Sequence, residues 1–127
     1  MGATIVVLDA DEGQRHNLCK LLGEHQYPSE SLKSIEELKR RIAENDILAV
    51  IIDIDTVPIG NRTIRDLTVH NPGICFFSLS ERRFHPELGN AIGSYLYACI
   101  NKPIDLDELL FWIRSIQKDR NNKGDSW

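Results

Sequence analysis

The segment Ala49-Val50-Ile51-Ile52-Asp53-Ile54-Asp55 decides the fold of this chain. Its first four residues form a short apolar run rich in β-branched side chains, which predicts a strand buried on both faces. Asp53 and Asp55 follow at once, and an unpaired charge buried in a core is too costly for these acids to be core residues. Open α/β sheets bind their ligands at the C-terminal ends of such strands. We therefore expect Asp53 to be a functional residue.

Three further apolar runs end in polar groups. They are Val7-Leu8-Asp9, Phe76-Phe77-Ser78 and Ile100-Asn101-Lys102-Pro103. With Asp53 and Asp55, they supply acids, a hydroxyl and an amine. This set is suited to binding a metal ion and to transferring or holding a phosphoryl group.

Composition limits the classes of function. The chain has 127 residues, 42% of them hydrophobic, and a formal net charge of -4. These values predict one globular domain and give no electrostatic reason to expect nucleic-acid binding. The sequence contains no long apolar stretch and no signal-peptide pattern, so we expect a cytoplasmic protein. The three cysteines, Cys19, Cys75 and Cys99, are expected to be reduced core thiols.

Strand and helix patterns alternate along the whole chain. The predicted strands are Thr4–Leu8, Glu30–Lys33, Leu48–Ile52, Ile74–Phe77 and Tyr97–Ile100. The predicted helices are Gln14–Glu24, a helix from the Ser34/Glu37 capping box to Ile42, Arg62–His70, Pro86–Ile92 and a last helix opened by Asp105 and Glu108. This order predicts an α/β, doubly wound (βα)5 domain over residues 1–117, with a five-stranded parallel sheet and helices on both faces. Residues 118–127 are predicted to be a polar tail or the start of a linker.

The order of the strand-end groups resembles the receiver domain of bacterial two-component response regulators, a flavodoxin-like sandwich. The resemblance covers about Thr4 to Gln117. Leu8-Asp9-Ala10-Asp11-Glu12 resembles the acidic cluster of that family, and Ile52-Asp53 resembles its phosphoacceptor. Ser78 matches the hydroxyl position, and Lys102-Pro103 matches a pair whose peptide bond is usually cis in the family.

The resemblance implies that Asp53 accepts a phosphoryl group from a sensor histidine kinase or a phosphotransfer protein. It implies Asp53, Ser78 and Lys102 as the reacting groups, and Mg²⁺ held by Asp9, Asp53 and Asp55. Such a domain is a signalling phosphoacceptor that switches a protein-interaction surface. It is not an enzyme beyond self-catalysed phosphoryl transfer and autodephosphorylation.

One departure from the family pattern concerns the metal. The family usually has two adjacent acids after the first strand, and the second position here is Ala10. A methyl group cannot bind Mg²⁺, so we expect a weakened metal site. Asp55 is the candidate that would replace the missing oxygen.

Ala10 also supports a second interpretation, a pseudo-receiver that acts as a docking or dimerisation module without phosphorylation. By family analogy, its contact surface would be the face formed by the fourth helix, the fifth strand and the fifth helix, and the same face is the candidate surface for a homodimer. The aromatic residues predicted in or near that face are Phe84, Tyr95, Tyr97 and Trp112.

A third interpretation comes from a different class of protein. The segment Asp53-Ile54-Asp55-Thr56-Val57 also fits the nucleophile motif of haloacid-dehalogenase-like phosphohydrolases. In that family the nucleophile normally lies on the first strand, and the metal-binding acids lie on a strand after the lysine. Here only Asp105, Asp107 and Glu108 follow Lys102 closely, at a helix start, which counts against this interpretation.

Overall fold

The computed structural model describes residues 3–82 and 95–125, with side chains up to residue 120. Its strands are β1 (Thr4–Leu8), β2 (Ser29–Leu32), β3 (Ile47–Asp53), β4 (Cys75–Ser80) and β5 (Ala98–Asn101). Its helices are α1 (Glu12–Glu24), α2 (Ile35–Ile42), α3 (Asn61–His70) and a last helix, here α4 (Leu106–Asp125). All strand pairs are parallel, in the order β2-β1-β3-β4-β5. The predicted fold class is confirmed.

The helices cover both faces of the sheet because the strands are apolar on both sides. Every residue of β3 is buried, as the continuous apolar run predicts. One face packs against α1 and α4 through Leu18, Leu22, Leu109, Ile113 and Ile116. The other face packs against α2 and α3 through Leu38 and Leu67. The sheet is therefore the middle layer of three, and its C-terminal edge is left free for polar groups.

Short polar side chains start three of the helices. The Asp11 carboxylate accepts a hydrogen bond from the Gln14 N–H at the start of α1. Ser34 caps α2, where its hydroxyl accepts from the Glu37 N–H, and Asp105 accepts from the Glu108 N–H at α4. The two predicted caps are thus confirmed, and each satisfies a backbone donor that a helix start leaves unpaired.

Several predicted boundaries are wrong. β4 does not end at Phe77 but continues to Ser80. The last helix continues past Gln117 to Asp125, so residues 118–125 are helical and not a free tail. Within that extension, Asp119 accepts a hydrogen bond from the Tyr97 hydroxyl, and Arg120 donates to the Gly73 carbonyl.

Two further observations complete the comparison with the predicted elements. Cys99 is exposed on β5 and is not a core thiol. The predicted helix Pro86–Ile92 and Phe84 lie outside the described residues. Within the described ranges, no helix is both long enough and apolar enough to span a bilayer.

Candidate functional site

Two carboxylates lie side by side at the C-terminal edge of the sheet. Leu8 pairs with Ile52 in the β1–β3 register, so Asp9 and Asp53 follow adjacent positions of neighbouring strands. Both residues are buried, with exposures of 2% and 1%. Burial raises the pKa of Asp9, and the nearby Asp53 carboxylate adds to this rise although hydrogen bonds to Asp9 oppose it. The end of β1 and the end of β3 thus form one acidic centre.

The two oxygens of Asp53 have different surroundings. Oδ1 accepts hydrogen bonds from the N–H groups of Asp55, at 2.9 Å, and Thr56, at 3.2 Å. Oδ2 is buried 2.5 Å from the Nζ atom of Lys102, in an ion pair. Among the described residues, no group donates a hydrogen bond of good geometry to Oδ2. One oxygen is therefore fixed by the backbone, while the other faces a cation.

Lys102 connects Asp53 with a second acid. Its Nζ atom lies 3.1 Å from Oδ2 of Asp55 as well as next to Asp53. Burial alone would lower the pKa of the ammonium group, but the contacts with the two carboxylates outweigh burial and raise that pKa. The Lys102-Pro103 bond is cis, as the resemblance implies. Lys102 is thus a charged partner that links two acids at the end of β5.

Both oxygens of Asp55 are engaged. Oδ1 accepts from the Ser80 hydroxyl at 2.7 Å, and Oδ2 accepts from the Glu81 N–H at 2.8 Å. Burial acts to raise the pKa of Asp55, but these hydrogen bonds and Lys102 lower it overall. The carboxylate therefore faces the ends of β4 and β5, where these donors hold it.

The structure separates the two serines of β4. Ser78 is buried inside the strand, where it pairs with Ile52 of β3 and Cys99 of β5. Ser80 ends the strand, and its hydroxyl contacts Asp55. The prediction that Ser78 ends β4 is therefore wrong, and the sequence analysis missed Ser80. The apolar Leu79 between the two serines was the available signal that the strand continues.

Two more side chains were missed by the sequence analysis. The Thr56 hydroxyl donates to Asp9 at 3.0 Å and accepts from the Ala10 N–H at 3.1 Å. The Arg15 guanidinium donates to the carbonyls of Asp9, at 3.3 Å, and Ala10, at 3.4 Å. A hydroxyl and a cation therefore order the loop after β1. No spacing in the sequence points to either residue.

The donor set can be tested against the implied Mg²⁺. Proteins often hold this ion by one or two carboxylates, with water and phosphate oxygens filling the other positions. Asp9 and Asp53 fit that requirement, because they are adjacent and a cation would relieve their repulsion. Both oxygens of Asp55 already accept hydrogen bonds, and within residues 3–82 and 95–120 no three His, Cys, Asp or Glu side chains form a metal cluster. The residues present fit a two-carboxylate site.

Comparison with known proteins identifies the architecture. No protein-family model matches the sequence, and no curated protein matches it significantly. The receiver domain of an HD-domain-containing protein from Pseudomonas fluorescens Pf-5 is similar with a TM-score of 0.83 and 18% identity, over 99% of this chain and 94% of that chain. This chain has the receiver-domain fold.

Two other solved receiver domains are also similar in structure to this chain. The beryllofluoride-activated NtrC4 receiver domain, a dimer, has a TM-score of 0.77 at 19% identity, over 91% of this chain and 97% of that chain. The receiver domain of Ssk1 from Saccharomyces cerevisiae was solved with the histidine phosphotransfer protein Ypd1. Its TM-score is 0.68 at 15% identity, over 85% of this chain and 83% of that chain. Identities this low show a shared fold, so function has to be argued from the site.

Proposed function

We propose that this chain is a two-component receiver that accepts a phosphoryl group on Asp53 from a histidine kinase or a phosphotransfer protein. The observation that supports this most is the asymmetry of the Asp53 carboxylate. Oδ1 is fixed by two backbone N–H groups, while Oδ2 lies in an ion pair with the ammonium group of Lys102. A nucleophilic carboxylate needs one oriented oxygen with an available lone pair.

The proposed chemistry is a phosphoryl transfer. Oδ2 of Asp53 attacks phosphorus and forms the new P–O bond, while the P–N bond to the donor imidazole breaks and its electron pair stays on nitrogen. The ammonium group of Lys102 offsets the negative charge that gathers around the reacting oxygens. Ser78 was the predicted hydroxyl donor to the phosphoryl group. The position of Ser80 at the end of β4 supports Ser80 for that role instead.

We include Mg²⁺ in the proposal, held by Asp9 and Asp53. When bound, the ion would neutralise charge on the phosphoryl oxygens. We expect weak binding, because Ala10 supplies no oxygen from its side chain and Asp55 is engaged by Ser80 and Glu81.

A cleft next to the site supports a protein donor. It has a volume of about 270 Å³ and lies between α1 and the residues after β5. Its lining includes Asp9 and Lys102 together with Gln14 and Leu18 of α1. A receiver domain bound to a phosphotransfer protein is among the structures that this fold resembles. We propose that a partner carrying phosphohistidine approaches along this cleft.

The test is intact mass spectrometry after incubation with acetyl phosphate and Mg²⁺. We expect the parent to gain one phosphoryl group and Asp53→Asn to gain none. Omission of Mg²⁺ should slow the gain. A folded parent that gains no mass over a range of Mg²⁺ concentrations would contradict the proposal. Gain of mass by Asp53→Asn would show that a residue other than Asp53 accepts the phosphoryl group.

The second candidate function is the pseudo-receiver, a docking or dimerisation module that works without phosphorylation. The burial of Asp53 supports it, because a donor has no direct access to a side chain that is 1% exposed. Ala10 and the engaged Asp55 carboxylate support it as well. In both candidates the chain is a signalling module and not an enzyme with turnover of a substrate.

For the pseudo-receiver we propose a homodimer through β5 and α4. The aromatic residues predicted there pack on their own chain, since Tyr97 stacks on Phe77 at 5.6 Å and meets Trp112 edge-on at 5.9 Å. Phe111 also meets Trp112 edge-on, at 5.2 Å, but it is 59% exposed on α4. If it lies in a dimer interface, Phe111→Ser should shift the chain toward monomer in sedimentation velocity. An unchanged dimer, or a monomeric parent, would contradict this surface.

The phosphohydrolase alternative receives less support. It needs metal-binding acids after Lys102, and Asp105 instead caps α4 by accepting from the Glu108 N–H. Several solved receiver domains share this fold.

A further inference from the structure

The contacts of Asp55 describe an anion-binding site. Three donors of different kinds converge on one carboxylate: the Ser80 hydroxyl at 2.7 Å, the Glu81 N–H at 2.8 Å and the Lys102 ammonium at 3.1 Å. A hydroxyl, a backbone N–H and a cation around a small volume are the groups that bind oxyanions in proteins. We call these three donors the oxyanion site.

The oxyanion site does not depend on Asp55 for its assembly. The Ser80 oxygen also accepts a hydrogen bond from the Arg82 N–H at 2.9 Å, which fixes the hydroxyl from the other side. The Lys102 N–H donates to the Ser80 carbonyl at 2.9 Å, which joins the ends of β4 and β5. The donors would therefore remain together after the Asp55 carboxylate is removed.

We propose that Asp55 is a resident ligand of the oxyanion site, and that a small tetrahedral oxyanion such as phosphate binds there when the Asp55 carboxylate is absent. A carboxylate and a phosphate present similar oxygen acceptors to the same donors, so the two ligands exclude each other. The buried Oδ2 atom of Asp53 lies beside the same ammonium group.

The consequence for phosphorylation rests on the function proposed above, whereas the oxyanion site itself does not. A phosphoryl group on Oδ2 of Asp53 would lie next to Lys102 and would compete with Asp55 for these donors. The Asp55 carboxylate would then have to give up its contacts with the three donors before the phosphoryl oxygens could bind to them. The Asp55 side chain would therefore slow phosphorylation of its own chain, because it occupies the donors that the phosphoryl oxygens need. In this role Asp55 is not a replacement metal ligand.

The test titrates inorganic phosphate into three variants that share Asp53→Asn, a background in which no phosphoaspartate can form. The readout is the chemical shift of the backbone amide at position 81 in ¹H–¹⁵N spectra. We expect the Kd for phosphate to be at least tenfold lower with Asp55→Ala added than in Asp53→Asn alone. Adding Glu81→Gln instead removes one negative charge near the site but leaves Asp55 in place, so it should leave the Kd unchanged.

A fourth variant, with Ser80→Ala added to Asp53→Asn and Asp55→Ala, should lose the gain in affinity. The same Kd with and without Asp55, in proteins whose spectra show the native fold, would overturn the proposal. An equal gain from Glu81→Gln would also overturn it, since the effect would then be one of net charge. If Asp55→Ala does not fold, Asp55→Asn replaces it, and the same tenfold criterion applies. Because inorganic phosphate is not a phosphoryl donor, these outcomes are independent of the acetyl phosphate experiment.

Discussion

Lys102 is the cation around which the acids of the site are arranged. Its side chain is 13% exposed, and its ammonium group contacts one buried carboxylate and one that is 21% exposed. Separating a buried pair costs more than the pair contributes to stability, because the remaining charge keeps its desolvation penalty. Loss of the Lys102 side chain is therefore expected to destabilise this edge of the sheet.

Lys102→Met should destabilise the fold strongly. It leaves Asp53 buried without its ion-pair partner, and loss of one member of a buried pair costs about 3 kcal/mol or more. Urea denaturation of Lys102→Met should show a clearly lower midpoint than the parent. Lys20→Met, at an exposed position on α1, is the matched control and should leave the midpoint unchanged. Equal losses in the two variants would show that the effect is not specific to the site.

The Asp55 carboxylate should make stability depend on pH in the acid range. Despite its burial, its hydrogen bonds hold the pKa of the folded state below the ordinary value of 3.8. For an acid with a lowered pKa, the stabilisation is complete above the unfolded value and is lost as pH falls through the folded one. Thermal unfolding should therefore show that the parent exceeds Asp55→Asn in Tm at pH 7. That gap should narrow below pH 3.8, and a gap that is constant with pH would contradict the ionised carboxylate.

At the scale of elements, the loops after β1 and β3 are joined by Thr56. Its hydroxyl donates to Asp9 and accepts from the Ala10 N–H, so one side chain satisfies groups on the neighbouring loop. This bridge holds the two loops of the acidic centre together beyond the point where the strands end.

Thr56→Val should weaken this bridge without changing the volume of the side chain. Both groups on the β1 loop lose a partner, and a hydrogen bond of this kind contributes about 0.5–1.5 kcal/mol. Thr56→Ser keeps the hydroxyl and should lie closer to the parent in chemical denaturation. We expect stability to decrease from the parent to Thr56→Ser and further to Thr56→Val. A Val variant as stable as the Ser variant would show that the bridge contributes little.

The elements could be predicted because their signals are local. β1 has its predicted bounds, and the Ser34 and Asp105 caps begin the helices where the sequence places them. The end of β4 could not be predicted in the same way. Ser78 stays inside the strand because it pairs with β3 and β5, and that register is a property of neighbours far away in sequence. The sequence alone therefore indicates a strand but does not locate its last paired residue.

At the scale of the molecule, Asp9, Asp53 and Lys102 come together because parallel strands bring their carboxyl ends to one edge. That part of the site follows from the fold class. The direction of the Asp55 side chain does not, because it depends on donors from Ser80 and Glu81 that only the folded sheet brings close. The predicted metal ligand is for this reason engaged with other partners.

The extended last helix leads to a prediction about truncation. Deleting residues 118–127 removes the acceptor of the Tyr97 hydroxyl and the Arg120 contact with the Gly73 carbonyl. Two hydrogen bonds of this kind contribute about 1–2 kcal/mol in total, so the urea midpoint should fall. Deleting only residues 121–127 keeps both contacts and is the control. If the two truncations have the same midpoint, residues 118–120 do not stabilise the domain.

The position of Asp55 would affect how well the oxyanion site distinguishes a phosphoryl group on Asp53 from free phosphate. A tethered carboxylate has a high effective concentration at the oxyanion site, so free anions at cellular levels compete poorly with it. A phosphoryl group attached to Asp53 would be tethered as well, and could compete on equal terms. Such a site would bind little free phosphate and would take up a phosphoryl group only when that group is attached to Asp53 of the same chain.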